Sequence, residues 1–335
     1  MGSAGSTSDS SGASVIGVDS GGSGLRIALA DAESGAVLET ASSREPVRTG
    51  PGGISADHFL EQVLPAVAAL RERTGGLPIA AVAVGAAGMA TLGDELRTAL
   101  PDAFAAAWGV RRLALAADAV TAYAGALGQR PGVVVAAGTG LIALGTDLAS
   151  WRRVDGWGHL LGDCGSGAWI GRAGLEAALR AHDGRRGGST ALLARAEAFF
   201  GPAAGLPGVL YPRTDRPAVL ASFAPEVGAC AAAQDPVATE ILTRAGRHIA
   251  EAAEAACPTG PGAVVALTGG LFKMGGPLLG PLRVALDTVL PQARTAGAAG
   301  DPLAGAVALA TALAADALRL PEDPSLLRLF GAETR

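Results

Sequence analysis

The chain contains, twice, an apolar strand that passes through a glycine turn directly into a second strand. The first copy spans residues 14–30 and turns at residues 21–24, and the second spans residues 132–145 and turns at residues 138–140. Short β-branched runs bounded by glycine predict strands joined by tight turns. In neither copy does a helix follow the glycines, so these turns are not Walker A or Rossmann phosphate loops, both of which open a helix.

Helical patterns and further strands follow each copy in a similar order. Residues 36–41 add a third strand to the first copy, and apolar positions after Ser55 recur at helical spacing. The first half thus predicts the order β-β-β-α-β-α-β-α, and the second half begins in the same way. The last predicted helix starts at Asp301-Pro302, because an Asp N-cap followed by proline is typical of a helix start. We therefore predict an α/β fold of two related halves that face a common cleft.

Three segments interrupt this pattern. Residues 1–13 are rich in Gly and Ser and carry neither the basic nor the apolar region of a signal peptide, so we expect a disordered tail. Residues 201–217 are rich in Gly and Pro and predict a loop. The residues after Pro321 predict a loosely attached carboxyl-terminal tail.

Composition excludes several classes of partner. A length of 335 residues is typical of about two domains. The formal net charge is −5 and no basic block is present, so we expect no nucleic-acid partner. Three scattered cysteines encode neither a disulfide framework nor a zinc site, and we expect a cytoplasmic protein. No apolar run reaches the roughly 18 residues of a membrane helix, so we expect no membrane partner.

Asp19 ends the first strand, immediately before the first glycine turn. Glycines let backbone N–H groups approach an anion closely, which predicts a phosphate cradle beside a carboxylate. An ordinary glycine-rich hairpin is the alternative. Thr139 in the second turn could hydrogen-bond a terminal phosphate, and two such turns at matching positions favour a nucleotide held by both.

Two further strands end in residues that could carry chemistry. Gly269 and Gly270 follow one strand and precede Leu271-Phe272, which could lie beside a purine, although a helix-entry turn is the alternative. Asp118 follows the strand at residues 113–117, at the end where functional residues of open α/β sheets cluster. A carboxylate there can accept a hydroxyl proton. An N-cap for the next helix is a compatible alternative.

The densest segment runs from residue 155 to residue 172. Trp157 stands between glycines, and Asp163 lies in a glycine-rich turn that opens a helix. An aromatic ring, backbone donors and a carboxylate suit the wall of a sugar site. We expect His159 to be structural and Cys164 to be a small buried side chain.

Together these motifs resemble the BadF/BadG/BcrA/BcrD ATPase family, and within it the N-acetylglucosamine kinases, over about residues 15–318. The motifs in chain order are D-x-G-G-S-G-x-R at residues 19–26, A-D-A at 117–119, A-G-T-G at 137–140, G-W-G-H-x-x-G-D-x-G-S-G at 156–167, and T-G-G-L-F at 268–272.

The resemblance implies an actin/Hsp70/hexokinase-like (ASKHA) α/β fold with two RNase H-like domains around an ATP cleft. Residues 14–125 and the closing helix at 301–318 would form the first domain, and residues 126–300 the second. Residues 319–335 would be the tail. The resemblance also implies ATP and Mg²⁺ as cofactors and a small-molecule sugar as partner, and it leaves a homodimer open.

The resemblance assigns roles to individual residues. Asp118 would take the proton from the sugar 6-hydroxyl, and Asp19 would be the magnesium-linked carboxylate. The nucleotide would contact Gly21, Gly22, Ser23, Gly138, Thr139, Gly140, Gly269 and Gly270. The sugar would contact Gly156, Trp157 and Asp163 in addition to Asp118.

The chain departs from the family pattern at the sugar. Ile142 stands where the family has an Asn, Ser55 replaces a second Asn, and Cys164 replaces a Glu. The acceptor could therefore be N-acetylglucosamine, glucosamine, another amino sugar or a cyclitol. An ATP-driven activator or ATPase of the same superfamily, and a non-catalytic sugar-sensing module, are the competing hypotheses.

Overall fold

The computed structural model describes residues 12–22, 24–259 and 262–331. The chain divides into two compact units. Unit 1 takes its residues from Met1–Gln129, Leu148–Ser150 and Ala299–Arg335, and unit 2 from Arg130–Asp147 and Trp151–Ala298. The expected tail at residues 1–13 lies outside the described residues up to position 11.

Both units contain strands and helices. The strands are β1 (Ser14–Gly21), β2 (Gly24–Asp31), β3 (Val37–Ser43), β4 (Thr49–Gly50), β5 (Gly53–Ile54), β6 (Ile79–Ala86), β7 (Leu113–Ala117), β8 (Gly132–Ala137), β9 (Leu141–Thr146), β10 (Trp151–Asp155), β11 (Val264–Thr268), β12 (Arg294–Gly297) and β13 (Leu327–Phe330). The helices are α1 (Ala56–Arg73), α2 (Met89–Leu92), α3 (Asp94–Trp108), α4 (Asp118–Leu127), α5 (Gly167–His182), α6 (Thr190–Phe200), α7 (Leu206–Leu210), α8 (Arg216–Ser222), α9 (Ala224–Ala232), α10 (Pro236–Ala256), α11 (Gly276–Val289) and α12 (Pro302–Ala314).

Unit 1 is built on a mixed sheet with the strand order β13-β7-β6-β1-β2-β3. β1, β6 and β7 are parallel, whereas β2 and β3 extend the sheet as an antiparallel meander. The apolar face of α1 carries Phe59, Val63 and Val67 at helical spacing, and all three are fully buried. Ser55 caps this helix by accepting a hydrogen bond from the His58 N–H.

The closing helix α12 packs on α4 and β1 through glycine contacts. A Cβ on Gly305 would lie 1.9 Å from the Thr121 carbonyl oxygen, and a Cβ on Gly17 would lie 2.7 Å from the Val307 nitrogen. Such close backbone approach needs glycine at both positions. Asp301 caps the helix by accepting the Ala304 N–H at 3.0 Å. The contacts fix α12, and with it Asp301, on unit 1.

Unit 2 is built on a second mixed sheet with the order β10-β9-β8-β11-β12. Its core joins this sheet to the helices, and the buried members include Val133, Ile170, Phe223, Leu242 and Ile249. β8 and β9 are antiparallel and meet at Ala137 and Leu141, on either side of the second glycine turn. The strand–glycine turn–strand pattern therefore starts both sheets.

Two segments differ from the sequence expectations. The expected loop at residues 201–217 contains α7 and begins α8, because Pro207 and Pro217 lie in first turns, where proline is tolerated. The expectation of a loose tail after Pro321 is wrong for the described part, up to residue 331. β13 pairs antiparallel with β7, and Leu326 and Leu327 are buried. The apolar pair gains burial by covering an otherwise open sheet edge.

Candidate functional site

Asp19 lies near the end of β1 and faces Arg26 directly across the β1–β2 pair. Arg26 donates to Asp19 Oδ2 from Nε at 3.1 Å and from Nη2 at 2.6 Å. Both bonds end on one oxygen, and no donor from the described residues reaches Oδ1. The side chain of Asp19 is mostly buried, with 16% exposed. One carboxylate oxygen is thus held in place while the other stays available to a ligand.

Arg26 also connects Asp19 to the closing helix. Its Nη1 donates to Asp301 Oδ2 at 2.5 Å. Burial lowers the pKa of Arg26. Its hydrogen bonds to the carboxylates of Asp19 and Asp301 raise that pKa by a larger amount, so the net shift is upward and the guanidinium stays charged. Burial raises the pKa of Asp301, and the Ala304 N–H and Arg26 more than offset this, leaving that pKa below its usual value.

The first glycine turn leaves space around its backbone. A Cβ on Gly21 or Gly22 would meet no atom within 4 Å, so packing does not require glycine there. Ser23, the third expected phosphate contact in this turn, lies outside the described residues. The open backbone is compatible with the expected phosphate cradle.

Asp118 is the first residue of α4 and is exposed. Ala117 is the N-cap, so Asp118 is not the capping residue, and its Oδ1 accepts the N–H of Ala119 at 2.9 Å. The positive end of the helix dipole favours an ionised carboxylate here. Asp19 on β1 pairs with Gly85 on β6, and Ala86, the next residue of β6, pairs with Ala117 at the end of β7. The two aspartates therefore lie at the same edge of the unit 1 sheet, two strands or about 10 Å apart.

The second glycine turn is anchored to the start of α5. Gly138 donates its N–H to the Gly140 carbonyl at 2.9 Å, and its own carbonyl accepts the Gly167 N–H at 2.8 Å. The Thr139 carbonyl accepts the N–H of Ala168 at 3.0 Å. Gly138 and Thr139 line a cavity of about 820 Å³ in unit 2. This volume is within the usual range of ligand pockets.

The third glycine pair borders the same cavity. Gly269 has a φ of +104°, and a Cβ there would lie 2.2 Å from the Ala137 carbonyl oxygen, so only glycine fits. Gly270 has open space on its Cβ side and lines the cavity together with Leu271. Phe272, which the sequence indicates could lie beside a purine, packs partly buried against the unit 2 core and is not among the residues that line this cavity.

Lys273 is a lining residue that the sequence analysis did not assign. It is the only lysine of the chain, it is exposed, and among the described residues it is the one charged side chain that lines the 820 Å³ cavity. Because it is the only lysine, the sequence alone could have marked it as a candidate site residue. An ammonium group there can attract phosphate oxygens.

Asp163 joins the sugar motif to the second glycine turn. It is buried and has a φ of +53°. Its Oδ1 accepts the Gly158 N–H at 3.1 Å. Its Oδ2 would lie 2.6 Å from a Cβ on Gly140, so this carboxylate occupies the space that the glycine leaves. The structure thus brings the expected sugar carboxylate and the expected phosphate turn together.

Asp155 holds this loop in shape, and the sequence analysis assigned it no role. Its Oδ1 accepts the Asp163 N–H at 2.7 Å, and its Oδ2 accepts the Cys164 N–H at 3.0 Å. Burial raises the pKa of Asp163, the Gly158 N–H lowers it, and the nearby charge of Asp155 raises it again. The net shift of the Asp163 pKa is upward.

The remaining sugar-motif residues lie at the surface of the same loop. The Gly156 carbonyl accepts Arg153 Nη2 at 2.6 Å, and the Arg153 guanidinium lies 5.1 Å from the Trp157 ring centroid. Trp157 remains 67% exposed, so most of its ring is accessible to a ligand. Ile142 lies beside Gly156, since a Cβ on this glycine would be 3.1 Å from Ile142 Cδ1. The amide of the family pattern is therefore replaced by an apolar contact.

Cys164 and the other two thiols show no sign of activation. Burial is the main cause that raises the pKa of Cys164, Cys230 and Cys257. All three therefore stay protonated at neutral pH. Within the described residues, no group of three or more His, Cys, Asp or Glu side chains could hold a metal ion. In this same part of the chain, no helix has the length and apolarity needed to span a bilayer.

Comparison with curated proteins identifies a relative whose activity is described. A curated N-acetylmuramic acid/N-acetylglucosamine kinase of Clostridium acetobutylicum is 31% identical over 186 residues. This match covers 53% of the chain and 57% of that relative, so the chain aligns with little more than half of the relative's length.

Two solved structures cover nearly the whole chain. A candidate N-acetylglucosamine kinase of Chromobacterium violaceum is 32% identical, with a TM-score of 0.66, over 88% of this chain and 97% of that structure. A ROK family glucokinase of Streptomyces griseus, in complex with glucose and AMPPNP, is 23% identical, with a TM-score of 0.53, over 91% and 99%. These neighbours confirm the expected α/β fold of the actin/Hsp70/hexokinase class. The BadF/BadG/BcrA/BcrD ATPase family model matches residues 16–305, and the chain belongs to this family.

Proposed function

We propose that the protein is an ATP-dependent kinase that phosphorylates the 6-hydroxyl of a hexosamine, N-acetylglucosamine or glucosamine, with Asp118 as the general base. The observation that carries the proposal is the contact between Asp163 and Gly140 in unit 2. This contact supports the proposal, because it joins the residue proposed for the sugar to the turn proposed for the phosphates, and phosphoryl transfer requires the two substrates to lie side by side. The descriptions of the Clostridium and Chromobacterium relatives support the same activity.

Two groups of residues would bind the nucleotide. In unit 2, Gly138, Thr139 and Gly270 line the 820 Å³ cavity, which suits a purine nucleoside on its apolar side and phosphates at the glycine turns. In unit 1, the open backbone of Gly21 and Gly22 would cradle phosphate oxygens, together with Ser23. Gly140 and Gly269 support these turns by allowing close packing.

Asp19 is the residue that would hold Mg²⁺. A carboxylate is a chemically suitable ligand, because Mg²⁺ prefers one or two carboxylate oxygens and takes its other ligands from phosphates and water. Asp19 offers one such oxygen, Oδ1, while Arg26 engages Oδ2. The ion would neutralise charge on the transferred phosphoryl group. Arg26 would orient the carboxylate through its two hydrogen bonds to Oδ2.

Asp118 would accept the proton of the sugar hydroxyl as the new O–P bond forms, while the bond between the γ-phosphorus and its bridging oxygen breaks and ADP leaves. An ordinary aspartate is ionised at neutral pH, so it needs no unusual environment for this role. Asp163 would accept hydrogen bonds from sugar hydroxyls, with Gly156 and Trp157 beside it. These contacts would place the 6-hydroxyl for attack, which is the larger part of catalysis in phosphoryl transfer.

A kinase of another amino sugar or of a cyclitol is the second candidate. The observation that favours it is the apolar side chain of Ile142 next to Gly156, at a position where the family pattern has an amide. An ATP-driven electron-transfer activator is not favoured, because Cys230 and Cys257 are buried and Cys164 is partly buried. The cytoplasm, where ATP is available, is the compartment that we propose.

Variants at Asp118 test the assignment of the base. We expect Asp118→Asn to bind sugar with normal affinity by calorimetry but to lose at least about 100-fold in kcat, since a general base contributes about 10²–10⁴. Asp57→Asn is the matched control, an exposed aspartate in the first turn of α1. A near-normal rate in Asp118→Asn would remove the assignment. Phosphorus NMR of the product identifies the phosphorylated hydroxyl.

A further inference from the structure

Unit 2 contains a second cavity, with a volume of about 350 Å³. Helix α5 forms one wall, α7 and α8 form another, and His159 and Leu160 of the loop before α5 complete it. None of the residues that we propose to bind nucleotide, magnesium or sugar is among those that line it. A molecule in this cavity would therefore be bound by residues outside the proposed kinase site.

The helices give the cavity an apolar wall. Leu175 and Leu179 on α5, and Leu206 and Leu210 on α7, are pairs four residues apart, so each pair lies on one face of its helix. Leu220 of α8 adds a fifth leucine. Two of the five are buried, and the other three pack partly buried against the unit 2 core. Hydrocarbon groups of a ligand would gain free energy by leaving water for this wall.

The apolar surface continues to the outside of the protein. Leu160 is 77% and Tyr211 is 75% exposed, and both line the cavity. Large apolar side chains that remain exposed around an apolar concavity are typical of a binding site. The cavity is thus open to a ligand from solution.

Two arginines without acidic partners also line the cavity. Arg172 on α5 and Arg216 on α8 are both exposed. Arg172 forms no hydrogen bond or ion pair with any described residue. Arg216 donates from Nε to the Arg213 carbonyl at 2.7 Å, which leaves its two Nη groups without an acceptor in the described part of the chain.

No aspartate or glutamate lines the cavity to balance these charges. The nearest acidic side chains along α5 and before α8 are paired with other arginines. Glu176 accepts Arg180 Nη2 at 3.0 Å, and Asp215 Oδ2 accepts Arg213 Nη2 at 2.6 Å. A guanidinium can bind a carboxylate through two parallel hydrogen bonds. The charge of the cavity is therefore complementary to an organic acid.

The volume limits the size of this acid. At about 30 Å³ for each water-sized group, 350 Å³ offers room for on the order of ten non-hydrogen atoms. A nucleotide is larger, and its ribose and base would bring polar groups against the leucines. A short hydrocarbon chain or a single aromatic ring that ends in a carboxylate fits both the volume and the apolar wall.

We propose that this cavity binds a small amphipathic monocarboxylic acid. The hydrocarbon part of the acid contacts the leucines, and Arg172 and Arg216 bind its carboxylate. The acid is a separate ligand, neither the phosphoryl acceptor nor the nucleotide, so the proposal goes beyond the proposed function and does not depend on it.

Calorimetric titration of the full chain, without sugar or nucleotide, tests this site. The probes are octanoate, octanamide, which has the same chain and a neutral head, and acetate, which has the same head and no chain. We expect one equivalent of octanoate to bind with a Kd below about 1 mM. Octanamide and acetate should each bind at least about tenfold more weakly, because each lacks one of the two groups that the cavity recognises.

Arginine variants identify the groups that bind the carboxylate. Arg172→Gln and Arg216→Gln should each weaken octanoate binding at least about fivefold and leave octanamide binding within about twofold. Arg185→Gln, an exposed arginine just after α5 that does not line the cavity, is the matched control and should bind octanoate normally.

A pair of loop variants tests the apolar contact. Leu160→Ser should weaken octanoate and octanamide alike, by at least about threefold, because Leu160 lines the cavity. Leu161→Ser is the matched control, since Leu161 is 86% exposed and does not line the cavity. Both leucines are at the surface, so neither change should affect folding.

Three results would overturn the proposal: no binding of octanoate, equal affinity for octanoate and octanamide, or a preference for octanoate that survives both arginine variants. Because no sugar or nucleotide is present, none of these results bears on the kinase proposal. Failure of the protein to phosphorylate any sugar would likewise leave this site in place.

Discussion

At the scale of single residues, the candidate site depends on side chains that hold other side chains. Arg26 binds Asp19 and Asp301 at once, and Asp155 fastens the loop around Asp163 through backbone N–H groups. Neither role could be read from the sequence. Asp155 lies eight positions from Asp163, and only the turn that the chain makes with Asp163 in a left-handed conformation brings its carboxylate to these donors.

Removing the guanidinium of Arg26 should weaken use of the magnesium nucleotide. A hydrogen bond to a charged group contributes about 1.5–3 kcal/mol, so we expect Arg26→Gln to raise the KM for Mg-ATP about tenfold. Arg26→Lys should recover part of this, because a charge remains at the β1–β2 pair. Arg73→Gln, an exposed arginine paired with Glu39, is the control. An unchanged dependence on Mg²⁺ and ATP in Arg26→Gln would contradict the positioning role.

The raised pKa of Asp163 should appear in the pH dependence of sugar binding. The ionised carboxylate accepts hydrogen bonds, so affinity should fall as pH decreases through this pKa, at a higher pH than for an ordinary aspartate. Because the folded state holds this proton more tightly than the unfolded chain, the same group makes the fold less stable as pH rises between the ordinary and the raised pKa.

Asp155→Asn should move the midpoint of this titration to lower pH, since it removes a nearby negative charge. Calorimetric sugar affinity between pH 4 and pH 8 measures it, and Asp183→Asn, at the exposed end of α5, is the control. A midpoint that stays in place in Asp155→Asn would show that the charge of Asp155 does not act on Asp163.

Lys273 offers a chemical test of the cavity proposed for the nucleotide. It carries the only side-chain amine of the chain, so an amine-directed reagent has this side chain and the amino terminus as its targets. We expect Mg-ATP to slow the labelling of Lys273 at least fivefold and to leave labelling of the amino terminus unchanged, as peptide mass spectrometry can measure. Equal labelling rates with and without nucleotide would argue against phosphates at this end of the cavity.

At the scale of elements, close packing of glycine decides where α12 and the turns lie. The strand–turn–strand units were predictable because glycine and β-branched residues give strong local signals. The position of β13 was not predictable, because Leu326 and Leu327 are buried against β7, which lies about 210 positions earlier in the chain. The packing of Phe272 was not predictable either, since its sequence neighbours do not reveal which side of the turn faces the core.

Adding one methyl group between α12 and α4 should destabilise unit 1. A Cβ on Gly305 would lie 1.9 Å from a backbone oxygen, and overpacking of this kind costs about 1–3 kcal/mol. We expect Gly305→Ala to lower the free energy of unfolding in urea by about 2 kcal/mol or more. Gly280→Ala is the matched control, because this glycine of α11 has open space at its Cβ. It should be neutral or stabilising by up to about 1 kcal/mol. Equal stability of the two variants would refute the packing account.

At the scale of the whole molecule, the residues proposed for the reaction are distributed over both units. Unit 1 holds the two carboxylates, Asp19 and Asp118, at one edge of its sheet. Unit 2 holds the cavity proposed for the nucleotide and the Asp163 loop. The family and the fold class were predictable from motifs spread over the chain. The contact of Ile142 with Gly156, which we propose to affect the choice of acceptor, is revealed only by the folded chain.

ADP release with Mg-ATP tests the central claim most directly. The acceptors are N-acetylglucosamine, glucosamine, N-acetylmuramic acid, glucose, a cyclitol and none. A hexosamine kinase should release ADP at least about 100-fold faster with one of the amino sugars than without an acceptor, and should yield one equivalent of sugar 6-phosphate per ADP. ADP release that is independent of sugar, or a complete lack of turnover with every acceptor, would contradict the account.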